Sequence, residues 1–161
     1  RIRKMEGDAE AEIARKMNQF YIPLYHGMLI EKKSYAEVIN EYPALAEYNY
    51  HAEAHMYGRP VAYYHQLQDY NLAGGWENLT VPVRILRGTH DWIMSAFDND
   101  LIIQILERNG HKDHLLYEYP KLDHWHTVHE SVEDSYFGRP GQWDDRISGI
   151  LVEWAKELAD L

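Results

Sequence analysis

The chain has 161 residues, 45% of them hydrophobic, which is enough for an ordinary globular domain with its own core. Its formal net charge of -10 argues against nucleic-acid binding and against anionic membranes, because both need clustered cations. Cysteine is absent, which excludes disulfides, thiolate nucleophiles and cysteine-ligated zinc.

Targeting signals are missing from the printed residues. The first residues show no apolar core of a signal peptide, and no apolar run reaches the length of a membrane span. We therefore expect no membrane span and a cytoplasmic location. The chain also lacks an initiator Met, so we expect it to begin within a longer product.

Residues 1–76 are predicted to form a helical cap or lid, with no strand. Apolar residues recur at steps of three and four from Ile13 to Met28, which is typical of an amphipathic helix. Pro23 lies inside this pattern and is expected to kink or divide the helix.

Shorter helices are predicted to follow in the same segment. Ser34 and Glu37 have the spacing of a capping box, which predicts a short helix. Pro43 and Pro60 each suit the first turn of a further helix, and Gly74-Gly75 is expected to end the last one.

Residues 77–161 are predicted to form an α/β core. The elements are, in order, a strand over 81–88, a helix through 97–106 that stops at Asn109-Gly110, a strand over 115–119, an irregular segment over 125–143 and a final helix after Asp144 or Asp145. This order is typical of parallel strands joined by helical crossovers. Parallel sheets are covered on both faces and need more than two strands, so we expect the sheet to be incomplete within this chain.

An acid and a base follow the two predicted strands. Asp91 lies just past the first strand and His124 just past the second. Strand ends of neighbouring parallel strands meet at one edge of a sheet, so these side chains are expected to meet. In a catalytic triad such an Asp orients the His, which acts as general base. Two alternatives remain: Asp91 only caps the turn, or the base is His126 or His129.

The motifs around these residues resemble the α/β-hydrolase family. Gly88-Thr89-His90-Asp91, Tyr119-Pro120-Lys121-Leu122-Asp123-His124 and a closing helix with Trp154 are similar to the cap and C-terminal part of esterase-type members, from about Tyr48 to Leu158. The resemblance implies the C-terminal half of an α/β-hydrolase fold preceded by a helical cap. It also implies hydrolysis of a carboxylic ester with Asp91 and His124 as catalytic residues and no cofactor.

The family's nucleophile motif, Gly-x-Ser-x-Gly, does not occur in this sequence. We expect a missing N-terminal half or a companion chain to supply the nucleophile. An Asp nucleophile acting on haloalkanes or epoxides, and a non-catalytic binding or interaction protein, remain alternatives. An unfinished sheet exposes its edges, which predicts a homo-oligomer or a swapped assembly.

Aromatic residues are candidates for contacts with a small ester substrate. We predict that four of them line a substrate pocket: Trp92, beside the acid, and Tyr57, Tyr63 and Tyr64 in the cap. The alternative is that the tyrosines only pack the cap against the core. A metal site is not predicted, although two groups are rich in donors: His51, Glu53 and His55, and Asp123, His124, His126 and His129. Arg84 and Arg87 lie in a predicted core strand and therefore need partners.

Overall fold

A computed structural model describes residues 1–48 and 55–159, which form a mixed α/β protein. The chain divides into two compact units. One unit spans residues 6–71, and the other combines the first five residues, which carry helix α1 (Ile2–Met5), with the chain from Leu72 onward. Within the described ranges, no helix combines the length and the apolar character needed to cross a membrane.

The unit over residues 6–71 begins with a continuous helical run. Its parts are α2 (Glu10–Lys16), a π-helical turn (Met17–Tyr21), α3 (Ile22–Tyr25) and a second π-helical turn (His26–Ile30). Pro23 lies in the first turn of α3, where its missing N–H is tolerated. The predicted helix is confirmed. It runs on through Pro23 without a break and changes its hydrogen-bond pattern instead, since Ile22 N–H donates to the carbonyl of Met17.

The predicted capping box is confirmed. Ser34 Oγ accepts from Glu37 N–H at 3.3 Å, Ser34 N–H donates to Glu37 Oε2 at 2.8 Å, and α4 (Tyr35–Glu41) begins there. A 3-10 helix (Pro43–Tyr48) follows at the predicted proline. These helices enclose a core of buried side chains from Leu24, Met28, Val38, Leu45, Met56 and Val61.

A β-hairpin lies in this unit, where no strand was expected. Strands β1 (His55–Met56) and β2 (Arg59–Pro60) pair antiparallel and lead into α5 (Val61–Leu67). Tyr57 and Gly58 have φ values of 48° and 73°, as a two-residue hairpin turn requires. Strands of two residues are too short to show the alternation by which a strand is recognised.

The other unit contains the predicted strand–helix–strand segment. Helix α6 (Leu72–Glu77) includes Gly74 and Gly75, so the prediction that this pair ends a helix is wrong. Asn78 stabilises the end of α6, because its side-chain amide donates to the Gly74 carbonyl at 2.6 Å. Strand β3 (Val83–Gly88), helix α7 (Ala96–Arg108) and strand β4 (His114–Tyr119) follow, and the two strands are parallel, as predicted. In the register of the pair, Gly88 lies opposite Tyr119.

Both arginines of β3 have partners in this unit. Arg84 donates to Asp113 at 2.5 Å, and Arg87 forms an ion pair with Glu118 on the neighbouring strand. Their side chains are 14% and 12% exposed, so most of each aliphatic stem is covered while the charge is neutralised.

Residues 125–143 are more ordered than the predicted irregular segment. Strands β5 (Thr127–Val128) and β6 (Gln142–Trp143) pair antiparallel around helix α8 (Val132–Tyr136), which Ser131 caps. Asp144 caps the last helix, α9 (Arg146–Ala159), by accepting from Arg146 N–H at 3.0 Å, as predicted. A core of buried side chains in this unit consists of Tyr119, Leu122 and Ile147, with Leu86, Val128 and Ile150 packed against it.

Candidate active site at the ends of two parallel strands

The turns that follow β3 and β4 are joined by backbone hydrogen bonds. His90 N–H donates to the carbonyl of Leu122 at 2.9 Å, and Lys121 N–H donates to Thr89 Oγ1 at 2.8 Å. These bonds fix the relative position of the two turns. Asp91 and His124, one on each turn, therefore stand side by side.

Gly88 makes this close approach possible. A Cβ atom built at Gly88 would lie 2.0 Å from the carbonyl oxygen of Leu122 and 2.6 Å from its carbonyl carbon. No side chain can be accommodated at that distance, so the two turns can touch because residue 88 is glycine. Burial against this junction also lowers the pKa of His90.

Asp91 and His124 form a hydrogen-bonded pair. The distance between His124 Nδ1 and Asp91 Oδ2 is 3.0 Å, and Asp91 Oδ1 accepts from the N–H groups of Ile93 at 2.9 Å and Met94 at 2.8 Å. Asp91 is 7% exposed, and these three bonds satisfy a carboxylate that would otherwise be costly to bury. An ionised carboxylate only accepts, so the bonded Nδ1 carries the proton and Nε2 presents its lone pair.

His124 faces a cleft of about 230 Å³. Its side chain is 37% exposed, and Nε2 forms no hydrogen bond with any residue in the described part of the chain. The cleft is also lined by Leu86, Arg87, Met94, Asn99, Asp123 and His126. An imidazole oriented by a buried carboxylate, with its second nitrogen open to a cleft, can accept a proton from a hydroxyl group placed there.

A second Asp–His pair, which was not predicted from the sequence, is formed by Asp123, the residue before His124, and His129. Asp123 Oδ2 contacts His129 Nε2 at 3.1 Å and accepts from Ser135 Oγ at 2.9 Å. The side chains of Asp123 and His129 are 4% and 6% exposed, so His129, the alternative candidate for the base, is buried beside a different carboxylate. Asp in a tight turn often bonds backbone amides nearby, and this was the signal that Asp123 offered.

The serines nearest to the pair in sequence have other partners. Ser95 accepts from Phe97 N–H as the cap of α7, and Ser131 accepts from Asp134 N–H as the cap of α8. Ser135 is buried and bonded to Asp123. None of these three hydroxyls is bonded to His124, and Ser95, which lies in the segment between β3 and α7, caps that helix.

Trp92, a predicted substrate contact, is in the same unit as the pair. Its indole N–H donates to Ser135 Oγ at 3.1 Å, and its ring centroid lies 5.7 Å from that of Trp125. The ring of Trp125 lies edge-on to His124, with centroids 5.8 Å apart. Trp92 therefore belongs to an aromatic group that borders the pair.

The three predicted tyrosines belong to the other unit. Tyr57 is 70% exposed in the hairpin turn, and the rings of Tyr63 and Tyr64 are packed edge to face with centroids 5.2 Å apart. The hydroxyl of Tyr64 donates to the carbonyl of Met56 at 3.0 Å. Their assignment to a substrate pocket stays a prediction.

The donor-rich histidine groups are described by the structure only in part. Over residues 1–48 and 55–159, no three carboxylate or imidazole side chains are grouped as metal ligands. His51 and Glu53 lie outside the described residues. Comparisons with protein families, with curated proteins and with solved structures found no match to this chain.

Proposed function

We propose that this chain carries the acid and the base of a serine hydrolase that acts on carboxylic esters. The observation that carries the proposal is the hydrogen bond between buried Asp91 and half-exposed His124 at the ends of two parallel strands. On this proposal β3 and β4 belong to the C-terminal half of an α/β-hydrolase sheet, preceded by a helical cap.

The pair would move one proton in each half of the reaction. As the serine Oγ bonds to the ester carbonyl carbon, His124 Nε2 takes the hydroxyl proton and Asp91 stabilises the resulting imidazolium. The tetrahedral intermediate then collapses, and His124 returns the proton to the departing alcohol. Water attacks the acyl-enzyme in the same way, with its proton taken by His124 and returned to the serine, which releases the carboxylic acid.

The nucleophile is proposed to come from a segment or a companion chain other than these 161 residues. Two parallel strands alone do not form a stable sheet, and β4 leaves Leu115 and Tyr117 43% and 40% exposed. Covering these side chains would complete the sheet and bring a nucleophile-bearing turn to the same edge. Without that segment, self-association or a swapped assembly is the expected way to bury them.

Exposed apolar side chains near the pair favour an apolar substrate. Ile93, Met94 and Trp125 are 45%, 47% and 57% exposed and lie within three residues of Asp91 or His124 in the chain, and Met94 lines the cleft. Large apolar side chains at the mouth of a cleft favour an aliphatic or aromatic group in the ligand. We therefore propose a small ester with an apolar acyl or alcohol part, with Trp92 among its contacts.

The proposal is tested by kinetics on the protein as it is isolated from its own source, with any companion segment retained. Hydrolysis of a p-nitrophenyl ester should fall by about 10⁶-fold in His124→Ala and by about 10⁴-fold in Asp91→Asn, which favours the wrong tautomer. His126→Ala is the matched control and should be mild. If His126→Ala were as damaging as His124→Ala, or if His124→Ala retained full turnover, the proposal would be wrong.

A further inference from the structure

The turn that carries His124 is held in an unfavourable backbone conformation. Lys121 and His126, at its two ends, have φ values of 60° and 61°, in the left-handed region that residues with a side chain seldom adopt. Such conformations persist where surrounding contacts impose them, and they concentrate at functional sites. Contacts from neighbouring groups must therefore hold this turn in its conformation.

Asp123 supplies those contacts. Its Oδ1 accepts from the N–H groups of Trp125 and Thr127, both at 2.9 Å, and its own N–H donates to the Thr127 carbonyl at 2.9 Å. His124 lies between these bonded groups. The direction in which its imidazole leaves the backbone is thus set by one neighbouring carboxylate.

The other oxygen of Asp123 is anchored from behind. His129 Nε2 lies 3.1 Å from Oδ2, and Ser135 Oγ donates to it at 2.9 Å while accepting from the indole N–H of Trp92. Gly141 packs directly on His129, since a Cβ there would lie 2.6 Å from His129 Cε1. The hydrogen-bonded network thus runs from His129, packed under Gly141, through Asp123 and Ser135 to Trp92, the residue that follows Asp91.

We propose that Asp123, anchored by His129, is a positioning residue that orients the imidazole of His124 toward Asp91. This role rests on the proposed function of His124 as general base. The buried pair is not a second catalytic centre, because Ser135 bonds to Asp123 rather than to His129 and all three side chains are buried.

The tautomer of His124 gives a direct test on the full chain. Long-range ¹H–¹⁵N spectra of histidine-labelled protein distinguish an imidazole protonated at Nδ1 from one protonated at Nε2, and His124→Gln identifies the signal. The wild type should show His124 protonated at Nδ1. Asp123→Ala should lose this form, and Asp123→Asn should be intermediate, because its Oδ1 still accepts from the two amides while its nitrogen cannot accept at the other position.

Asp144→Ala is the matched control, because it removes another partly buried carboxylate of the same unit without touching the turn. It should leave the tautomer of His124 unchanged; a loss as large as in Asp123→Ala would overturn the positioning role. If Asp123→Ala does not fold, Asp123→Asn provides the test. An Nδ1–H fraction of His124 in Asp123→Asn equal to that of the wild type overturns the proposal, and a lower fraction supports it. A wild-type spectrum without the Nδ1–H form would instead refute the Asp91–His124 pair itself, and the positioning role with it.

Discussion

Replacing Gly88 by alanine should separate the two turns that carry the pair. The added Cβ would lie 2.0 Å from the carbonyl oxygen of Leu122, so this main-chain group has to retreat by about 1 Å before the contact becomes tolerable. That oxygen also accepts from His90 N–H at 2.9 Å, and the bond would be lost or stretched. Both effects act at the junction on which Asp91 and His124 depend.

The size of the effect follows from these two terms. Overpacking of a tight contact costs about 1–3 kcal/mol, and loss of a backbone hydrogen bond costs about 0.5–1.5 kcal/mol. We expect Gly88→Ala to lower the free energy of unfolding by about 1.5–4.5 kcal/mol, the sum of the two terms. Urea denaturation followed by circular dichroism measures this difference, provided that the slope of the transition is unchanged.

Gly149 offers a matched control. It lies inside α9, and a Cβ built there meets no atom within 4 Å. Gly149→Ala should therefore raise stability by about 0.5–1 kcal/mol, because alanine loses less backbone entropy in a helix. If Gly88→Ala were as stable as the wild type, the close contact between the turns, and with it the geometry of the site, would be refuted.

Three further predictions follow from other parts of the same unit. Gly110 has a φ of 73°, so Gly110→Ala should cost about 1–2 kcal/mol in the same urea assay, and an unchanged midpoint would contradict the left-handed helix stop. The Arg146 guanidinium holds the pKa of Asp144 well below its usual range, and the Tyr119 hydroxyl adds a smaller effect in the same direction. This interaction stabilises the folded state above the unfolded pKa of about 3.9, and the stabilisation is lost as the pH falls below that value. The stability difference between wild type and Asp144→Asn should thus be constant above about pH 5 and shrink below about pH 4, whereas a difference that grows in acid would contradict this ion pair. Sedimentation of the isolated chain should show self-association through the exposed side chains of β4, and a compact stable monomer would count against the incomplete sheet.

Local patterns in the sequence were sufficient for the elements that position the pair. Strand β3 and helix α7 have clear periodicity, Gly88 ends the strand and Gly110 follows the helix, and the order of strand, helix and strand indicates a parallel pair. Because the carboxyl ends of such strands meet at one edge, Asp91 and His124 could be placed side by side from their positions in the chain.

The rest depended on contacts that no local pattern shows. The hairpins β1–β2 and β5–β6 have strands of two residues, which is less than one period of alternation. The burial of His129 depends on Gly141 and on Asp123, which lie twelve and six residues away in the chain. Tertiary packing of this kind decides whether a histidine is an exposed loop residue or part of a buried network.

In the proposed function, Asp91 and His124 serve a serine that lies outside these 161 residues. Labelling with a fluorophosphonate probe, followed by mass spectrometric mapping of the adduct, tests this most directly, both on the isolated chain and on the protein from its own source. We expect no adduct on the isolated chain. In the native protein we expect an adduct on a serine outside residues 1–161, and it should disappear in His124→Ala but not in His126→Ala. A stoichiometric adduct on a serine within this chain, or native labelling that is indifferent to His124→Ala, would contradict it.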